Sequence, residues 1–137
     1  MYEQNAEKIF LGAILLSGGA VLDDCHLIAS DFSTDKHSKI FATMVQMRRD
    51  GEGIDTLTVG SKIPELSVYL HEATAETPTW QNANFYEQLI HDRNARWALV
   101  QVGHELQAAG NAIDSDVDVA LDRAGDKIEQ VTVGRLR

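Results

Sequence analysis

LVQVGHELQAAGNAIDSDVDVALDRAGDKIEQV, residues 99–131, is the stretch whose pattern decides the fold. Leu99, Val102, Leu106 and Ala109 recur at +3, +4 and +3, which lines them along one face of a helix. Gly110-Asn111 interrupts the pattern. Ser115, with Asp118 three residues on, resembles a capping box carrying Asp in place of Glu, and Val117, Leu121, Ala124, Ile128 and Val131 then repeat at +4, +3, +4 and +3. Two narrow apolar stripes joined by a tight connection predict an antiparallel helical hairpin. Two helices cannot cover both stripes by themselves, so part of the apolar face must pack on the preceding helices or on a second copy of the chain. Self-association is the favoured expectation, with Leu99, Val102, Leu106, Val117, Leu121, Ala124 and Ile128 as the contact residues.

Upstream of this stretch the helical period continues. Glu3 to Leu16 sets Ile9, Ala13 and Leu16, with Phe10 and Ile14 beside them, at intervals of three and four, and Ser17-Gly18-Gly19 ends that helix. A short second helix is expected from Ala20 to about Ile28. The capping cluster 30–35 leads into a third helix, Lys36 to Asp50, with Ile40, Phe41, Met44 and Met47 on one stripe. Gly51-Glu52-Gly53 breaks it, Asp55 or Thr56 is placed to cap a short helix to Ile63, and Pro64 opens another that runs to Ala75. A long periodic segment then extends from about Trp80 to Ala109. The expected class is all-α: a compact multi-helix head, residues 1–95, followed by the hairpin, residues 96–137.

Length and charge narrow the function. A chain of 137 residues closes one hydrophobic core but has no room for a second catalytic domain. Its 21 Asp and Glu against 12 Lys and Arg give a formal charge of −9, which opposes binding to phosphate backbones, so direct nucleic-acid contact is not expected. No export signal is visible, the single Cys25 cannot close an internal disulfide, and no apolar run approaches the roughly 20 residues needed to span a bilayer. The cytoplasm is the expected location.

Chemistry finds little support in the residues. No Gly-x4-Gly-Lys-Ser/Thr loop is present, so the backbone cradle and lysine that hold nucleotide phosphates are missing, and this chain is not expected to be an enzyme or to hold a cofactor. The five histidines, His26, His37, His71, His91 and His104, include no pair at i, i+3 or i+4, as a helical metal site would need. Cys25 reads as a small buried hydrophobe without a neighbour that would activate it. His37, in the first turn of its helix, either orients the preceding loop or is solvated. Arg48-Arg49 and Arg93 with Arg96 fit helix-end charge and salt bridges. Trp97 serves as core or as an interface anchor, and Trp80 is the more exposed of the two tryptophans by expectation.

The order of these motifs resembles the N-terminal domain of DnaB-type replicative DNA helicases, almost end to end. Glu7 followed by Leu11-Gly12-Ala13-Ile14-Leu15 is similar to the family's opening helix. Asp31-Phe32, His37, Ile40-Phe41, the Arg48 to Gly51 helix end, and Ile54-Asp55 with Thr58 follow the family's Asp-Phe, His, Ile-Phe, Gly and Ile-Asp-x-x-Thr sequence. Asp31, Phe32, His37, Phe41 and Asp55 are therefore taken as a structural motif. Tyr69-Leu70, Thr77-Pro78, Asn82 to Asn84, Tyr86, Ile90 and Arg93 to Arg96 also fall at similar positions.

The resemblance implies a head plus a hairpin, hairpins pairing two subunits, and three such dimers forming a hexameric collar that binds primase or a helicase loader. ATP and magnesium belong to a motor domain absent from this chain, which ends at Gly134-Arg135-Leu136-Arg137, about where the linker to that motor would begin. The expected function is a non-catalytic assembly and docking domain. A free-standing adaptor or inhibitor that mimics this domain is the alternative.

Overall fold

The first helix, α1 (Tyr2–Leu16), belongs to a computed structural model that describes the backbone of residues 2–136 and the side chains of residues 5–134. Arg137, the end expected to lead into a linker, lies outside the described residues. α1 buries Ala6, Glu7, Phe10, Leu11, Ala13, Ile14 and Leu15. This face is rotated from the expected one. Ile9 sits at its margin and Leu16 is exposed, because Glu7 is drawn inside by hydrogen bonds from Ser33 and His37. The helix ends in a Schellman motif: the Gly19 N–H reaches the Ile14 carbonyl at 2.9 Å and the Gly18 N–H reaches Leu15 at 3.2 Å. Gly18 stands at φ 65°, where a side chain would be strained.

The second helix expected to reach Ile28 is cut short. A 3₁₀ turn spans Ala20–Asp24, Cys25 is extended, and another 3₁₀ turn spans Ala29–Asp31. Cys25 turns extended at φ −83° and ψ 135°, which ends the helical ladder, so the N–H groups beyond it cannot be satisfied within a helix. The backbone N–H groups find other acceptors instead. His26 donates to the Glu87 carboxylate at 3.0 Å, Leu27 to Cys25 Sγ at 3.4 Å and Ile28 to the Asp31 carboxylate at 2.8 Å.

Capping sets the next two helices. Thr34 accepts from the His37 N–H at 3.1 Å and opens α2 (Asp35–Arg49), whose buried face is His37, Ile40, Phe41, Met44 and Met47. Asp55 accepts from the Leu57 and Thr58 N–H groups at 2.9 and 2.8 Å and opens α3 (Thr56–Lys62). The helix expected from Pro64 to Ala75 has two parts, a 3₁₀ turn Pro64–Leu66 and α4 (Ser67–Glu76), with Leu66 departing from helical geometry between them. Another 3₁₀ turn, Trp80–Asn82, leads into the 29-residue α5 (Ala83–Asn111). The last helix is α6 (Val117–Leu136). The described residues form an all-α chain without a β-strand.

The chain divides after Ile90, inside α5, into two compact units. In the first, Phe32 joins Phe10 and Phe41, with ring centroids at 6.5 and 4.7 Å, under the aliphatic side chains of α1, α2, α3 and α4. α1 and α4 meet backbone to backbone at Gly12. A Cβ there would lie 2.2 Å from Thr77 Oγ1 and 2.5 Å from the Ala73 carbonyl oxygen. Thr77 Oγ1 donates to Ala73 at 2.7 Å, tying down the end of α4.

In the second unit the cap differs from expectation. Asp116, not Ser115, opens α6, its Oδ1 accepting from the Asp118 and Val119 N–H groups at 3.0 and 3.2 Å. The helix starts at Val117, so Asp116 occupies the capping position and its carboxylate is the acceptor in reach. Ser115 instead completes the preceding helix end, its hydroxyl within hydrogen-bonding distance of the Ala109 and Ala112 carbonyls at 2.7 and 2.9 Å. Lys127 pairs with Glu105 across the two helices, as an antiparallel hairpin requires.

Candidate functional site

The hairpin carries the residues expected to contact a second copy, and their burial falls into two groups. Val102 and Ala124 are buried within the hairpin, at 5% and 8% exposure. Leu99, Leu106, Val117, Leu121 and Ile128 are 41–65% exposed. No other described apolar residue from His91 onward is buried. The physical reason is the narrowness of each stripe: a single seam of small contacts closes two helices, and every larger side chain off that seam meets water. Polar partners fix the connection, through Asp116 and Ser115, and the Glu105–Lys127 pair spans the open side. The result is a helical surface with alternating apolar and acidic residues, suited to burial against another apolar helical face.

The head presents a different arrangement. Glu7 and His37 are 0% and 2% exposed, with His37 Nδ1 2.7 Å from Glu7 Oε1 and His37 Nε2 2.6 Å from the Tyr69 hydroxyl. Glu7 also accepts from the Ser33 N–H at 2.9 Å. The Glu7 carboxylate can only accept, so Nδ1–H donates to it, and Nε2 pairs with the Tyr69 hydroxyl. These bonds join α1, the loop before α2, α2 and α4. Burial pushes the Tyr69 phenol above its ordinary value, so the hydroxyl stays protonated as a donor. Lys36 stands 3.7 Å from the Tyr69 ring centroid, and Lys8 pairs with Glu76. The arrangement is a buried polar clamp between helices. His37 is buried and not solvated, and its partner Glu7 in turn holds the Ser33 N–H of the preceding loop.

Asp31, Phe32, Phe41 and Asp55 occupy structural positions of the same head: the Asp31 carboxylate holds Ile28, the two phenylalanines stack in the core and Asp55 caps α3. Tyr69 as the partner of His37 was not foreseen. The available signal was Glu7, a charge within the 6, 7, 10, 11, 14 spacing of a buried helical face. Cys25 is half-buried, and burial pushes its thiol up to about 12, far from a thiolate nucleophile. Arg48 pairs with Asp23 at 2.6 Å. Trp97, at 57% exposure, is more open than Trp80 at 44%, the reverse of the sequence expectation, because Trp97 lies in the two-helix unit, where a single neighbouring helix covers only one seam. No helix among the described residues is long and apolar enough to cross a membrane.

Comparison with known proteins bears on this surface. The family described as DnaB-like helicase N terminal domain matches residues 1–92. The replicative DNA helicase DnaB of Geobacillus stearothermophilus is 28% identical over 136 residues, covering 93% of this chain and 30% of the helicase. DnaB of Leifsonia xyli subsp. xyli is 30% identical, again over 93% of this chain and 30% of the relative. The chain thus spans about a third of the length of these curated relatives. The crystal structure of the N-terminal domain of DnaB helicase from Mycobacterium tuberculosis superposes with a TM-score of 0.79 at 26% identity, over 92% of this chain and 95% of that domain. The structure of a DnaB-like replicative helicase, determined with its interactions with primase, shares the fold at a TM-score of 0.70 and 20% identity, over 93% of this chain and 31% of that one.

Proposed function

The chain belongs to the family of DnaB-like helicase N-terminal domains, and from that premise we propose that it is the non-catalytic assembly and partner-docking domain of a hexameric replicative DNA helicase. One observation carries the reading: the hairpin buries Val102 and Ala124 and leaves Leu99, Leu106, Val117, Leu121 and Ile128 in water. A two-fold pairing of hairpins covers the stripes of both copies at once, because an isologous interface uses the same residues from each. Removing these side chains from water contributes about 1 kcal/mol for each half-exposed one, the order of magnitude that offsets the entropy cost of pairing. Val102 and Ala124 hold the two helices in register while the outer residues meet the second copy.

Three such pairs would form a collar over a motor ring. ATP, magnesium and single-stranded DNA are handled by that motor, outside the residues of this chain, and the setting is the cytoplasm. The docking partner is primase or a helicase loader, a reading supported by the fold shared with a helicase studied together with primase. The charge of −9 suits a partner with a basic surface.

The test replaces Leu106 and Leu121 together with Glu and measures mass by light scattering. The wild-type chain should run as a dimer or larger, and the double variant as a monomer with its helical circular dichroism intact. Unchanged self-association would sink the hairpin reading.

A further inference from the structure

On the head, the 3₁₀ turn Ala20–Asp24 and the start of α5 enclose a groove of about 370 Å³, lined by Ala20, Val21, Trp80 and Ala83 with Asp24 and Glu87 among its polar groups. Trp80 is 44% exposed, so much of its surface is open to solvent. Glu87 is 5% exposed and is held by the His26 N–H at 3.0 Å, which fixes the carboxylate in place. Asp24 is exposed, whereas its neighbour Asp23 is engaged by Arg48. None of the described residues lining the groove is cationic.

We infer that this groove receives an arginine side chain presented by a protein partner. An aromatic surface beside the exposed Asp24 carboxylate attracts a guanidinium twice over, and the buried Glu87 adds negative field behind them. The ring quadrupole favours a cation within about 6 Å of its centroid, and the Asp24 carboxylate matches the guanidinium's planar donors. The apolar floor of Ala20, Val21 and Ala83 suits the side chain's methylene stem. Acidic walls on a chain of charge −9 repel phosphate, so the same features disfavour nucleic acid and an anionic membrane. The inference rests on the docking half of the function proposed above. It is independent of the hairpin, whose pairing is read separately by light scattering.

The experiment uses the full chain with Trp97→Phe, leaving Trp80 as the single tryptophan emitter. The probe is a capped alanine peptide carrying two arginines, compared with the same peptide carrying citrulline. The arginine peptide should change Trp80 emission saturably, more weakly as salt rises, and the citrulline peptide should not. Asp24→Asn, at an exposed position that leaves the core untouched, should weaken binding about 2- to 5-fold. Amide shifts on binding should concentrate in residues 20–26 and 80–87. Equal response to citrulline, no effect of Asp24→Asn, shifts elsewhere, or no saturable response overturns the inference. A change in Trp80 emission with protein concentration alone would assign the groove to a second copy and overturn it too.

Discussion

α1 and α6 are both amphipathic helices, yet among the described side chains α1 buries six apolar ones and one glutamate, while α6, the longer of the two, buries Ala124 alone. The difference lies in what faces them. α1 is packed by α2, α4 and two 3₁₀ turns, and its polar intruder, Glu7, is met by Ser33 and His37. α6 has one antiparallel neighbour within its unit, which can cover only a single seam. The head is thus equipped to be stable as a folded unit, and the hairpin is left with exposed apolar surface, which the proposed pairing of copies would cover.

Glycine substitutions give the largest effects that could break this contrast. Gly12→Val forces a side chain into the space of Thr77 and the Ala73 carbonyl, where even a Cβ would stand at 2.2 and 2.5 Å. The head should lose about 3 kcal/mol or more and melt at least ~10 °C lower, read by calorimetry. Gly125, in α6, has nothing within 4 Å of an added Cβ. Gly125→Ala should stabilise the helix by about 0.5 to 1 kcal/mol. Loss of self-association in that variant, with helicity retained, would locate a close approach between copies at Gly125.

A buried and an exposed carboxylate sharpen the comparison at the next level. Glu7→Ala removes the acceptor shared by the Ser33 N–H and His37 in a fully buried setting, at a cost of about 3 kcal/mol in urea unfolding. Glu105→Ala removes the exposed partner of Lys127, and such a pair is worth less than about 1 kcal/mol. Similar losses from the two variants would contradict the distinction between a cored head and an open hairpin.

Residue patterns disclosed much of the architecture because helices are local objects. The stripes of α2, the glycine stop after Leu16 and the two-helix hairpin follow from spacings within a dozen residues or so. The segment 20–31 was not legible, since its turns depend on an acceptor from Glu87, 61 residues beyond His26. The Glu7–His37–Tyr69 clamp was hidden for the same reason: its members sit on three helices, and no spacing in the chain links them. Ser115 and Asp116 are adjacent and both competent to cap, so only the first helical residue, Val117, decides between them. The candidate hairpin contacts were legible as a stripe. Their separation into a buried seam and an exposed face required the positions of both helices.

The smallest effect separates two ways in which a charge stabilises this head. Asp55 is exposed, and its carboxylate is held below the usual aspartate range by hydrogen bonds from the backbone of Thr58 and Leu57 and from the Thr58 side chain. A carboxyl group with a lowered folded pKa contributes stability above its unfolded value of about 3.9, and that contribution is lost as pH falls through the folded value. Asp55→Asn keeps an N-cap acceptor but cannot titrate. The variant should melt slightly below wild type at pH 7, and the gap should close as pH drops below about 4, where the wild-type cap loses its charge. A parallel acid response in both proteins would mean that the cap bonds at Asp55 do not depend on its ionisation, and that the acid sensitivity of the head comes from its other carboxylates.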